Sequence, residues 1–294
     1  MQEKASAPGD LPGTTIASDT GSRVGTRSLL YTAFDKRLLP PTLITLIVIG
    51  GHFSFGILEG YDKILLAIAT CVAAELVLGR VFLKKWPNLS SAYISGNSIG
   101  FLIRSTLYWP FIICGLLSIM SKYALRYRGR HIWNPSNFGV SAMFFLAPFA
   151  VAPLSIQWGN DFWPILVIWI VGFIIIFRLK RFHVCAAYAV GFLVFAGVRA
   201  LIAGGPYVIE IAPITGPMYQ LFVLFMITDP RTTVKSRTGR MLVALLVAFV
   251  EMFLRLGEVV YAPFYALFLV GPAAMILEAE LERRKLRWTS GRLA

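Results

Sequence analysis

The feature that most constrains this chain is a succession of long apolar runs, about 15 to 22 residues each, from residue 40 to residue 280. A helix that packs in water keeps one polar face, and runs of this length have none to offer. The chain therefore reads as an all-α polytopic membrane protein. Composition agrees, with 57% of the 294 residues apolar and only 15% charged. Ten segments can be drawn, at about 40–58, 64–83, 91–105, 107–125, 138–155, 163–178, 182–204, 217–229, 241–256 and 261–280. Residues 1–39, rich in Gly, Ser, Thr, Pro and Ala, read as a disordered cytoplasmic tail, and residues 282–294 as a basic cytoplasmic tail.

A net charge of +13 raises nucleic acid as a partner, and the positions of the cations exclude it. With the N-terminus in the cytoplasm, 24 of the 28 Lys and Arg residues fall in inner loops, leaving Lys63, Arg104, Arg199 and Arg255 toward the outside. Asp62, Asp161, Glu210 and Glu258 lie in or beside the outer loops. This is the positive-inside pattern, so the expected location is a bacterial cytoplasmic membrane with both termini inside, and the expected partner of the basic face is anionic lipid. The three cysteines, Cys71, Cys114 and Cys185, fall in separate apolar segments and read as small core residues. His52 and His183 are single, so no metal site is expected.

Two segments are too short to cross as ordinary helices. At about 1.5 Å per residue, segments 91–105 and 217–229 span about 20 to 23 Å against a hydrocarbon core of about 30 Å. Their openings are alike, Ile94-Ser95-Gly96-Asn97 in one and Ile214-Thr215-Gly216-Pro217 in the other, offset by 120 residues. The same offset relates the first, second and fifth segments to later ones, and the fourth fits worse by about a dozen residues, roughly the length of the insertion TDPRTTVKSRTG. Five segments per half make the halves inverted: residues 40–158 form the first repeat and 159–281 the second. Short, Gly-interrupted segments at matching places in inverted repeats point to a site where the two broken helices meet, so Ser95, Gly96 and Asn97 are expected to face Thr215 and Gly216.

Two inner loops are unusual. His131-Ile132-Trp133-Asn134-Pro135-Ser136-Asn137-Phe138-Gly139 is a turn followed by a helix start near Phe138, with Asn or Ser available as a cap. Met226-Ile227-Thr228-Asp229-Pro230-Arg231-Thr232-Thr233, followed by Gly239-Arg240, stops an apolar run with a proline and then supplies cations and hydroxyls. Together they resemble the Asn-Pro and Thr-Asp-Pro motifs of one membrane-subunit family. It comprises the B subunit of the Na⁺-translocating NADH:quinone reductase and the D subunit of the Rnf electron-transport complex. The Asn-Pro-Ser-Asn-Phe-Gly wording is most similar to the short branch associated with enediyne biosynthesis, UnbU. The resemblance covers roughly residues 90 to 280 and implies ten segments in two inverted halves, partner redox subunits and a flavin.

In that family the resemblance implies FMN joined to a threonine of a Ser/Thr-Gly-Ala-Thr sequence in an outer loop. This chain has no threonine between Thr106 and Thr215, and its corresponding loop is only about LSIQWGNDF. Covalent FMN is therefore not expected. Non-covalent FMN or riboflavin is the cofactor the resemblance leaves, with Asn134, Pro135, Asn137, Thr228, Asp229 and Arg231 as motif residues beside Ser95, Gly96, Asn97, Thr215 and Gly216. Hydroxyls and cations next to a broken helix suit an anionic group such as a flavin phosphate.

Glu75, Lys122 and the i, i+4 pair Glu251 and Arg255 lie within apolar segments, where ionisable groups need partners. No catalytic constellation is visible. Three functions stay open: a redox-linked membrane subunit, a transporter of a small molecule or ion without redox chemistry, and an assembly protein of a biosynthetic system.

Overall fold

Every apolar segment drawn from residue 64 onward coincides with a helix in the structure, a computed structural model. It describes residues 61–84, 86–153 and 162–290, with Thr42, Thr45, Leu46 and Ile49 as isolated further positions. The expected tail at 1–39, most of the first apolar segment, the loop at 154–161 and the expected boundary between the halves lie outside the described residues. In chain order the elements are α1 (Tyr61–Leu83), α2 (Ser90–Leu102), β1 (Ile103–Arg104), α3 (Trp109–Ala124), β2 (Arg126–Tyr127), β3 (Arg130–His131) and α4 (Pro135–Leu146). There follow β4 (Ala152–Pro153), α5 (Phe162–Leu179), α6 (Phe182–Ala203), α7 (Tyr207–Ile211), a 3₁₀ turn (Ala212–Thr215) and α8 (Pro217–Leu221). A π turn (Phe222–Met226), α9 (Arg237–Leu256) and α10 (Ala262–Ser290) complete the chain.

Among the described residues three helices are long and apolar enough to cross a membrane: α1, α6 and Ala262–Arg284 of α10. A fourth span arises if the pair Tyr207–Thr215 and Pro217–Met226, bent by 62°, counts as one. The surface is that of a membrane protein: Phe177, Leu201 and Phe145 are 84%, 86% and 77% exposed, while Glu251, Arg199 and Asn137 are 0%, 1% and 1% exposed. Water would reverse that arrangement, since it rewards burying the first group and solvating the second.

Segment 138–155 is shorter than expected. Its helix, α4, starts three residues early at Pro135 and stops at Leu146, because Pro148 bars Ala147 from helical backbone and removes an N–H. The chain then turns through 148–150, where the Ala150 N–H donates to the Ala147 carbonyl (3.0 Å), and β4 pairs antiparallel with β1, Ile103 opposite Pro153 and Arg104 opposite Ala152. Helix α10 runs unbroken past residue 281 to Ser290.

Helix directions follow from which residues touch. In the first half α1 and α3 run parallel: Asp62 accepts from the Tyr108 hydroxyl (2.7 Å), Cys71 lies against Gly115, and Glu75 meets Lys122 and Tyr123. In the second half α6 and α9 run parallel, with Gly191 on Leu245 and Ala248 and Phe195 on Phe249 (5.4 Å between ring centres). The halves join where α4 and α10 pack antiparallel: Phe144 stacks on Tyr261 at 4.0 Å, Ser141 donates to the Phe264 carbonyl (3.3 Å), and Trp133 lies on Phe268.

One end of this bundle collects the basic loops. The β2–β3 hairpin turns through Arg128 and Gly129, both at positive φ (50° and 79°), the backbone of a tight hairpin turn that Gly supplies cheaply. Its Tyr127 hydroxyl and Arg128 guanidinium reach Glu280 on α10, and Arg130 donates to the carbonyls of Arg231 (3.2 Å) and Thr233 (3.4 Å). Lys235 bonds Glu278 through its backbone N–H (2.7 Å) and Glu282 through its ammonium (2.9 Å). The acidic run Glu278, Glu280 and Glu282 thus ties both basic loops to the end of α10.

Candidate functional site

The Asn-Pro and Thr-Asp-Pro loops, 95 residues apart, meet at the basic end through a bond from Asn134 Nδ2 to Asp229 Oδ2 of 3.1 Å. Each residue is fixed first by its own turn. Asn134 is the N-cap of α4: its Oδ1 accepts the Asn137 N–H (3.1 Å), and Pro135 occupies the first helical position, where a missing N–H costs nothing. Asp229 closes the other turn, taking the Arg231 N–H on Oδ1 (3.0 Å) and the Thr232 hydroxyl on Oδ2 (2.7 Å). The Thr228 hydroxyl donates to the Leu224 carbonyl (2.8 Å), one of the carbonyls beside the π turn. The Thr228 and Thr232 hydroxyls are thus engaged within the protein, and Arg231 is exposed.

Behind this junction α10 is opened by its own sequence. Pro272 has no N–H for the Phe268 carbonyl, and Trp133 Nε1 donates to that carbonyl instead (2.9 Å). Asn137, 1% exposed, sits one turn away, and the amide orientation that satisfies both of its neighbours sets Nδ2 toward the Phe264 carbonyl (3.3 Å) and Oδ1 toward the Phe268 N–H (3.2 Å). The rings of Trp133, Phe138 and Phe268 gather around these bonds with centres 5.5 to 5.7 Å apart. Nearby, burial pulls the half-buried His131 below its usual range, opposed by Asp229 and reinforced by Lys122, Arg231 and Arg126.

Gly96 and Gly216, expected to face each other, do not pack together. Helix α2 runs uninterrupted through Ile94–Asn97, so the break expected there is absent. A Cβ on Gly96 would lie 2.5 Å from the Ile68 Cα, so this glycine serves close packing on α1. Asn97 and Ser98 bond carbonyls of their own helix, at Tyr93 (3.1 Å) and Ile94 (2.9 Å), and Ser95 is buried. In the second half the break is present at Gly216-Pro217. Thr215 donates to the Ala212 carbonyl (2.7 Å), and only the Pro213 oxygen lies within 4 Å of a Cβ placed on Gly216. Gly96 and Gly216 are therefore not packing partners. Equal brevity in the sequence reflected a packing glycine in one half and a true helix break in the other.

Within the helices Glu75, Lys122, Arg199, Glu251 and Arg255 each have a charged partner, several of them invisible in the sequence. Glu75 takes the Lys122 ammonium (2.5 Å) and the Tyr123 hydroxyl (3.0 Å) near the basic end. At the opposite end Glu251 accepts from the hydroxyls of Tyr188 and Tyr219 and from Arg255 (3.0 Å). Arg255 and Arg199 each lie over the Phe192 ring, at 5.6 and 5.1 Å, and Arg199 pairs with Glu210 at 2.6 Å. A tyrosine in an apolar segment near a lone carboxylate was the available signal, because its hydroxyl needs an acceptor when buried.

Comparison with protein-family models and with curated proteins finds no match for this chain. The functional reading therefore rests on residues and geometry.

Proposed function

We propose that this is a multi-pass protein of the bacterial cytoplasmic membrane, related to the RnfD and NqrB subunits. On this reading it has ten segments in two inverted halves, both termini inside, and binds FMN or riboflavin non-covalently beside partner redox subunits. The observation that carries the reading is the Asn134–Asp229 bond, which joins the two motifs behind the resemblance at the seam between α4 and the broken second-half segment. Two further features support it. The Trp133, Phe138 and Phe268 rings offer a flat aromatic ring a place to stack beside polar groups. The parallel pairs α1 with α3 and α6 with α9 point in opposite senses, their C-termini and N-termini respectively lying at the basic end, which favours an inverted over a direct repeat on this reading.

The test is the absorption spectrum of detergent-purified protein. Flavin bands near one per chain are expected, lost on denaturation and reduced in Asn134→Ala and Asp229→Ala. A colourless preparation that takes up no added flavin would sink the reading. A fluorescent band on a denaturing gel would instead show covalent attachment through another hydroxyl.

A second reading, transport of a small molecule or ion, is favoured by the two buried carboxylate clusters at opposite ends of the bundle, Glu75 with Lys122 and Glu251 with Arg255. Proteoliposome flux that is lost in both Glu75→Gln and Glu251→Gln, from a protein without flavin, would select it.

A further inference from the structure

At the basic end, three buried side-chain nitrogens have no hydrogen-bond partner among the described residues: Arg181 Nη1, His183 Nε2 and Arg240 Nε. They are neighbours: α6 and α9 pack in parallel, with Gly191 on Leu245 and Ala248, which brings Arg181 and His183 at the start of α6 beside Arg240 in the first turn of α9. An unpaired buried donor forfeits its hydration and gains nothing in return, and a guanidinium forfeits most, so several at one place mark a missing acceptor.

The local backbone makes the place more positive still. Helix α5 ends with Lys180 in the left-handed conformation (φ 54°), and the Lys180 and Arg181 N–H groups fold back on the carbonyls of Phe177 (3.2 Å) and Ile176 (3.0 Å). This elbow leaves Arg181 as the N-cap of α6, with no side chain capping that helix, and holds the arginine itself 9% exposed. Arg240 stands in the first turn of α9. Since α6 and α9 run parallel, their N-termini lie side by side and both dipoles present their positive ends here. Asp229 is the acidic group that acts on Arg181, and its own oxygens already accept from Asn134, Arg231 and Thr232.

At the same elbow lies an apolar cleft of about 520 Å³ lined by Phe173, Ile174, Ile176, Phe177, Arg178 and Phe182. We infer that Arg181, His183 and Arg240 bind a phosphate group at the paired N-termini of α6 and α9, that of an anionic phospholipid whose acyl chain lies in the cleft at the α5–α6 elbow. A phosphodiester oxygen supplies the acceptor that the two guanidinium nitrogens lack, and His183 joins them in its Nε2–H tautomer; the phosphate charge offsets two guanidinium groups at the depth where a headgroup meets the acyl region. The inference does not depend on the flavin reading, and a colourless protein leaves it standing.

Native mass spectrometry of the full chain in neutral detergent, with phosphatidylglycerol or phosphatidylcholine added, tests it. One phosphatidylglycerol should be retained preferentially and raise the unfolding temperature. Arg181→Gln and Arg240→Gln should each weaken retention about tenfold, the worth of one charge-assisted hydrogen bond, while Arg283→Gln, an exposed cation on α10, changes little. Should Arg181→Gln fail to fold, Arg240→Gln, at a half-buried position, carries the same comparison. Stabilisation by inorganic phosphate but not by phosphatidylglycerol would keep the anion site and remove the lipid from it. Equal retention of the two lipids with no response to phosphate, or wild-type retention in both glutamine variants, overturns the inference.

Discussion

At the scale of single residues, glycines decide how closely the helices approach. A Cβ at Gly96 meets the Ile68 Cα at 2.5 Å and its N at 2.9 Å, backbone atoms that cannot rotate away. A Cβ at Gly139 meets the Cys114 carbonyl oxygen at 2.5 Å and the Ser118 hydroxyl closer still. Gly216 has only the Pro213 oxygen, at 3.3 Å. Gly96→Ala should therefore destabilise by about 1 to 3 kcal/mol through overpacking, whereas Gly216→Ala should be near neutral. Thermal unfolding of the purified variants checks this, and equal unfolding temperatures for Gly96→Ala and wild type would contradict it. Loss of function in Gly96→Leu would consequently report on packing, not on a ligand site.

At the scale of elements, the seam between α4 and α10 depends on a defect. Pro272 frees the Phe268 carbonyl inside α10, and Trp133, just before α4, takes it up. The two residues should be coupled. Trp133→Phe keeps most of the ring area but removes the indole N–H, so it should cost about 1 kcal/mol in the native chain. In a Pro272→Ala background, where the helix supplies its own N–H to Phe268, the cost should shrink. A double-mutant cycle measures the difference, and additive effects would show that the bond does not stabilise the seam.

At the scale of the whole molecule, contacts place the β2–β3 hairpin, the Thr-Asp-Pro loop, the start of α9 and the end of α10 together at one end of the bundle. Arg199 with Glu210, and Arg255 with Glu251, lie at the other. Single cysteines at Arg128 and Arg237 should thus react with a membrane-impermeant thiol reagent from the same side. A cysteine at Val208 should react from the opposite side. Reaction of Arg128→Cys and Val208→Cys from one side would overturn the arrangement.

The apolar runs and the asymmetry of charge determined by themselves that the chain is helical and surfaced for a membrane, since both properties depend on residue type and order and not on who packs against whom. The caps were legible too: Asn134 before Pro135 and Asp229 before Pro230 act within a few residues of themselves. Only the tertiary structure decided that Gly96 is a packing residue while Gly216 precedes a real break, because a glycine's role depends on the backbone opposite it. It alone joined Asn134 to Asp229 and gave Glu251 its two tyrosines. It also left the nitrogens of Arg181, His183 and Arg240 without hydrogen-bond partners among the described residues. Residues 59 positions apart carry no local signal of their proximity: what gathers Arg181 and Arg240 is the parallel packing of α6 on α9, a long-range contact that each helix's own composition permits but does not specify.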